Sequence, residues 1–315
     1  MEPMIRLQNV TKLYNTVLGV NDVCVELPPG GYGLLGPNGA GKSTLLNLLI
    51  GQLSPTRGTV TVLGMNPRTN GALLSRIGFC PAFEGMYARV SGLEWLTYLL
   101  RLQNFPKQRA RSRASECLAQ VGMQHAMHKQ IASYSRGMRQ RTKLAQAIAH
   151  DPELLILDEP LSGLDPIGRA SINRLLQDWI GNGRSLLIAS HVLHEIEALT
   201  KSFLLISGGR LLASGTAEDV HQMLLQVPME LQIRCSDPRR LAARLLQDGQ
   251  VDLVRLSGSS SQDPLTVSTG NAAEFSRSLM KSVLEEEISV NRLDTADESL
   301  QSLFNSLMRI HRGEL

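Results

Sequence analysis

The spacing of apolar and polar positions changes several times along this chain. Over residues 4–35, short apolar runs alternate with polar ones at 4–10, 17–27 and 32–35, and the turn Pro28-Pro29-Gly30-Gly31 separates the last two. Three strands are expected there. Residues 43–50 (STLLNLLI) take a helical spacing, and residues 59–62 and 77–80 return to strand character. From Glu84 to about His150 the period is helical again: GLEWLTYLLRL, then RASECLAQVG, then GMRQRTKLAQAIAH. This predicts a helical insert between strands. Lys107, Arg109, Arg111 and Arg113 fall inside it and read as a solvated helix face or loop. Wholly apolar runs follow at 154–157 (LLIL) and 185–189 (SLLIA), each leading into a helical stretch. Buried strands alternating with helices predict an α/β layer around a mostly parallel sheet.

The pattern shifts near residue 217. Thr216-Ala217-Glu218-Asp219 fits a helix capping box. Beyond it the expected order is strand 229–235, helix 238–247, strand 251–256, a Ser-rich loop at 258–262, strand 265–268, helix 271–287, strand 288–293 and helix 298–310. The strands and helices before the last helix read β-α-β-β-α-β, the ferredoxin-like order. Two domains are therefore expected, 1–220 and 221–315, with the helical insert at about 84–150. The second is a small α+β domain without a catalytic constellation, read as a regulatory or dimer-supporting module.

Composition narrows the reading. The 315 residues suggest about two domains, and 43% hydrophobic content is enough for a large core. A net charge of +3 is too small to argue for a nucleic-acid partner, and none is expected. Cys24, Cys80, Cys117 and Cys235 are scattered without a C-x-x-C pair and read as reduced thiols of a cytosolic setting. The opening MEPMIRLQNV lacks a basic region before an apolar stretch, so no signal peptide is expected. No run reaches the roughly 18 apolar residues that span a bilayer. Any path across a membrane would have to be built by another chain.

The chemistry concentrates at Gly36-Pro37-Asn38-Gly39-Ala40-Gly41-Lys42-Ser43-Thr44, which fits G-x-x-x-x-G-K-[ST]. Glycines let the backbone approach a ligand, successive N–H groups converge on phosphate oxygens, and the following helix N-terminus adds positive potential. Lys42 supplies a cation for the β- and γ-phosphates, and Ser43 a hydroxyl for Mg²⁺. The strand 154–157 then ends in Asp158 and Glu159. At the carboxyl end of such a strand an Asp can hold Mg²⁺ and a Glu can polarise the water that attacks a γ-phosphate. Ser162-Gly163-Leu164-Asp165-Pro166 follows, and Ser190-His191 ends the next strand, where a His can contact a γ-phosphate oxygen. His191 and His194 alone are too few ligands for a further metal. Tyr134-Ser135-Arg136-Gly137-Met138 opens another helix. A Ser and a Gly at its N-terminus read either as an ordinary cap or as a second phosphate-binding end, serving a nucleotide bound by another copy.

In this order the motifs resemble the nucleotide-binding subunit of ATP-binding cassette (ABC) transporters, across roughly residues 4–220. The resemblance implies an ABC ATPase core of a mostly parallel sheet, an antiparallel β subdomain and a helical subdomain, with ATP and Mg²⁺ as ligands. It matches Gly36 to Thr44 to the phosphate loop, Ser135 to Met138 to the signature, Asp158 and Glu159 to the Mg²⁺ ligand and catalytic base, Ser162 to Asp165 to the D-loop, and His191 to the switch. Tyr14 lies where the family places an aromatic that stacks on adenine; alone, it also reads as a half-buried Tyr at a strand end. The implied partners are a second copy and a separate transmembrane permease, at the cytoplasmic face of the cell membrane. The signature departs from the common LSGGQ and is similar to the branch of drug, polysaccharide and ion exporters with a six-helix permease. A second departure is Ala82, at the position that resembles the family's loop glutamine; a methyl group cannot reach Mg²⁺ or the lytic water, and slower hydrolysis, or completion of the ion's shell by water or Glu84, is expected. Two alternatives stand beside this reading: an ATP-gated module with weak hydrolysis, and a soluble cassette ATPase not tied to transport.

Overall fold

The computed structural model describes residues 2–83, 85–216, 229–249, 251–256, 264–285 and 288–295. The chain divides into two compact units, Met1–Ala217 and Glu218–Leu315. In the first, β1 (Ile5–Tyr14) pairs antiparallel with β2 (Val17–Leu27) and β4 (Arg57–Val62), a three-stranded sheet of order β2-β1-β4. A six-stranded sheet runs β5 (Ile77–Cys80), β6 (Leu154–Asp158), β7 (Ser185–Ser190), β3 (Gly31–Leu35), β8 (Ser202–Ser207) and β9 (Arg210–Thr216). All its pairings are parallel except β8 with β9.

Every residue of β6 and β7 is buried, because helices cover both faces of a parallel sheet. The register decides where their polar ends emerge. Cys80 pairs with Leu157, Asp158 with Ala189, and Leu35 with Ser190. The last residues of β3, β6 and β7 thus lie abreast, and the loops beginning at Gly36, Glu159 and His191 leave the sheet side by side.

The helical insert consists of α2 (Gly92–Leu102), α3 (Lys107–Gln120) and α4 (Arg136–Ile148). A capping box starts α2: Glu94 N donates to Ser91 Oγ at 3.2 Å, and Ser91 N donates to Glu94 Oε2 at 2.8 Å. Arg113 departs from the solvated face expected of it. Its guanidinium donates to the carbonyls of Ala149 at 2.9 Å and Ile148 at 3.3 Å, satisfying the open end of α4. The other helices of this unit are α1 (Lys42–Leu49), α5 (Pro166–Gly181) and α6 (Leu193–Glu197). Among the described residues, no helix is long and apolar enough to cross a membrane.

The β8–β9 hairpin is not among the elements expected from the sequence. Thr216, expected as a helix cap, closes β9 opposite Ser202. Residues 217–219, Glu84, the Ser-rich stretch 258–262 and the helix expected at 298–310 lie outside the described residues.

In the second unit β10 (Met229–Cys235), α7 (Pro238–Gln247), β11 (Leu253–Leu256), β12 (Leu265–Thr269), α8 (Ala272–Glu285) and β13 (Val290–Thr295) follow in order. The sheet order is β11-β12-β10-β13, antiparallel throughout. Ile233, Leu241, Leu245, Val267 and Phe275 form its core. The last strand runs two residues later than its pattern predicts, since β10 pairs through Leu231 with Thr295.

Candidate active site

The loop leaving β3 turns into α1 at Gly41, whose φ of 105° is left-handed. A Cβ there would stand 2.4 Å from the Gly19 carbonyl, so only glycine fits. Lys42 follows, 7% exposed. Its amine donates to the carbonyls of Gly36 at 2.6 Å and Pro37 at 3.3 Å and lies 3.6 Å from Glu159 Oε1. Burial pulls the Lys42 pKa down, against the opposing pull of Glu159 and Asp158. Ser43 Oγ donates to Asp158 Oδ2 at 2.7 Å. Burial pushes the Asp158 carboxyl up, and that hydrogen bond holds it back. The hydroxyl and carboxylate together are hard oxygen donors of the kind that suit Mg²⁺.

Glu159 sits at φ 49°, a backbone region costly for a residue with a Cβ. Its surroundings hold it there. Its N–H donates to the Ala189 carbonyl at 2.9 Å, and Gln140 Nε2 donates to the next carbonyl, that of Pro160, at 2.8 Å. The ring of His191 lies with Nδ1 2.9 Å from Glu159 Oε1; a carboxylate only accepts, so Nδ1 carries a proton. The Ser190 hydroxyl stands 3.4 Å from Glu159 Oε2 and 3.2 Å from Glu195 Oε2. It owns one proton for two carboxylates. Arg169 balances Glu195 at 3.2 Å.

Lys42, Ser43, Asp158 and Glu159 border a cavity of about 390 Å³. Tyr14 stands at its rim, 41% exposed, with its hydroxyl 3.4 Å from Thr44 Oγ1. Pro37, Asn38, Gly39, Ala40, Gly41, Lys42, Ser43 and Thr44 wrap one side, and Asp158, Glu159 and Ala82 close the other. Gly36 lies beneath, its carbonyl taken by Lys42, and His191 reaches the site through Glu159.

Ser135, Gly137 and Asp165 are not among the residues that line this cavity. They form a second cluster. Ser135 caps α4, accepting from Met138 N at 3.2 Å. A Cβ on Gly137 would stand 3.1 Å from the Gly163 carbonyl, and Arg136 donates to Ser162 Oγ at 2.9 Å. Asp165 caps α5, accepting from Gly168 N at 3.2 Å and from Arg141 at 3.4 Å. Sequence reasoning did not single out Gln140, Lys143 or Glu195. The available signal was a polar residue on the inner face of an amphipathic helix, where an apolar one is expected.

The ABC transporter family model matches residues 20–162. The chain is 32% identical to the bacitracin transport ATP-binding protein BcrA of Enterococcus faecalis, over 98% of this chain and 97% of that protein. The chain belongs to the ABC transporter ATP-binding proteins. Across this family of ATPases, it is also 31% identical to YxlF of Bacillus subtilis (strain 168), over 96% of this chain and 98% of that protein. It is 33% identical to the daunorubicin/doxorubicin resistance protein DrrA of Streptomyces peucetius, over 77% and 74% of the two chains. Solved cassettes share the ABC fold. A dimeric post-hydrolysis cassette, MJ0796 bound to ADP and Pi, superposes with a TM-score of 0.63 at 23% identity, covering 68% of this chain and 98% of that one. This ABC protein therefore binds and hydrolyses ATP as a transporter subunit, and its mixed α/β sheets are those of the cassette.

Proposed function

We propose that two copies of this ABC subunit close on ATP head to tail and drive a separate export permease at the cytoplasmic face of the membrane. The observation that carries this reading is the division of the phosphate-binding parts. Lys42, Ser43 and the Gly36–Thr44 loop border the cavity, whereas the capped α4 terminus with Ser135 and Gly137 does not. A second copy supplies that terminus to the first, and Asp165 follows it into the interface.

In this mechanism the loop N–H groups and Lys42 bind the β- and γ-phosphates, and Tyr14 stacks on adenine. Ser43 and Asp158 would hold Mg²⁺, which supplies charge neutralisation across the phosphate oxygens. Glu159 orients the attacking water. His191 and Ser190 fix its carboxylate, and His191 stabilises charge on the transferred group. Closure on ATP and reopening after hydrolysis shift the permease between two states. Relatives named for bacitracin transport and for daunorubicin/doxorubicin resistance support a drug-like cargo and the export direction. We also read the second unit as a ferredoxin-like module that steadies the dimer, supported by its strand order and the two helices inserted between its strands.

Glu159→Gln is expected to trap an ATP-bound dimer without turnover, read by gel filtration with ATP. A mutant that stays monomeric and keeps wild-type turnover contradicts the proposal. Ala82 borders the cavity, and Ala82→Gln is expected to raise turnover or change its Mg²⁺ dependence; if both stay as in the wild type, Ala82 does not limit the reaction.

A further inference from the structure

Among the described residues 81–83, the loop that carries Ala82 has no side chain able to hold it. The side chains of Pro81, Ala82 and Phe83 offer no hydrogen-bonding group, and Phe83 is exposed. Its position still matters. Cys80 pairs with Leu157 in parallel strands, so the residues after Cys80 leave the sheet beside Asp158 and Glu159. Ala82 forms part of the cavity wall next to them.

What holds the loop comes from α4. Lys143 is 3% exposed. Its amine donates to three consecutive carbonyls, Pro81 at 2.7 Å, Ala82 at 3.2 Å and Phe83 at 3.4 Å. An ammonium has three N–H donors on one centre, a geometry suited to converging carbonyls. One turn earlier on the same helix face, Gln140 donates to the carbonyls of Pro160 at 2.8 Å and Glu159 at 3.4 Å. The helix thus grips the backbone on both sides of the carboxylate pair. A packing role alone would favour an apolar residue, because a buried cation is costly unless its partners are specific. The charge of Lys143 also acts on Asp158, in the direction that favours the ionised carboxylate.

We propose that Lys143 is the positioning residue that fixes the 81–83 loop against the carboxylate end of the cavity, and so sets the rate of turnover rather than the affinity for nucleotide. The proposal rests on the reading of Glu159 as the residue that orients water. It extends that reading to a residue that does not line the cavity. Lys42 opens α1 and Tyr14 ends β1, and the carbonyls that Lys143 holds belong to neither element, so binding is expected to survive its loss.

The test is Lys143→Met in the full-length chain, with steady-state kinetics and amide hydrogen exchange of the peptide covering 81–90. The expected result is a fall in kcat of about tenfold or more, KM for ATP within about twofold, and faster exchange in that peptide, since a displaced catalytic wall costs rate before it costs binding. Wild-type kcat, unchanged exchange, or a KM that worsens in step with kcat would overturn the proposal. If Lys143→Met does not fold, Lys143→Gln keeps one amide donor and is judged by the same readings: reduced kcat at constant KM supports the proposal, and unchanged kcat refutes it. Glu159→Gln measured alongside separates the two readings. Full turnover in that variant removes the role given to Glu159, while the exchange of 81–90 still decides whether Lys143 holds the loop.

Discussion

At the scale of single residues, the site is a crowded set of charges in which each group is held by another. Lys42 is tied to the loop carbonyls and to Glu159, Asp158 to Ser43, and Glu159 to His191 and Ser190. The single proton of Ser190 is shared between Glu159 and Glu195. Ser190→Ala is expected to lower kcat by about three- to tenfold with little change in KM, the order of one ordinary hydrogen bond for a contact of 3.4 Å; unchanged kcat would show that Ser190 does not hold Glu159. Gly41→Ala forces a Cβ onto the Gly19 carbonyl and is expected to abolish nucleotide binding, measured by equilibrium titration with a fluorescent ATP analogue. Lys42, Ser43, Asp158 and Glu159 were legible in the sequence because the chemistry fixes their spacing along the chain. Gln140 and Lys143 were not. Their partners are backbone carbonyls about 20 and 60 residues away, which only the fold brings near.

At the scale of elements, continuous apolar runs read correctly as the central parallel strands, because burial on both faces leaves no polar alternation to mislead. The β8–β9 hairpin was missed although its signal was present. Gly208 and Gly209 turn at φ 53° and 76° between two apolar runs, which is the two-residue turn that matches strand twist. A local capping pattern at Thr216 competed with that signal, and pairing with Ser202 won. Between β5 and β6, Arg76 grips Glu153 with two hydrogen bonds, at 2.6 and 2.7 Å. Those bonds hold the Glu153 pKa below the usual glutamate value. The stability they contribute is therefore present above that usual value and is lost as pH falls through the depressed one. Arg76→Gln is expected to cost under about 1 kcal/mol in urea unfolding at pH 7, since the pair is partly exposed, and nothing once Glu153 is protonated. An equal cost at both pH values would assign the effect to packing.

At the scale of the whole molecule, the sequence offers two helix ends as phosphate-binding, and the cavity beside Lys42 is lined by only the first. Motif order made the ABC cassette legible, since six motifs in sequence leave few folds able to host them. The role proposed for the other helix end depends on a second chain, which a single sequence does not display. The measurement that tests this most directly mixes two inactive variants by co-expression, Lys42→Met in one copy and Ser135→Phe in the other. Each alone is expected to lack turnover. If the ATP site is composite, a mixed dimer pairs the intact Lys42 of one copy with the intact Ser135 of the other, and ATP hydrolysis returns. If mixing restores no hydrolysis while both variants still dimerise, each site is complete within its own chain and the sandwich is wrong.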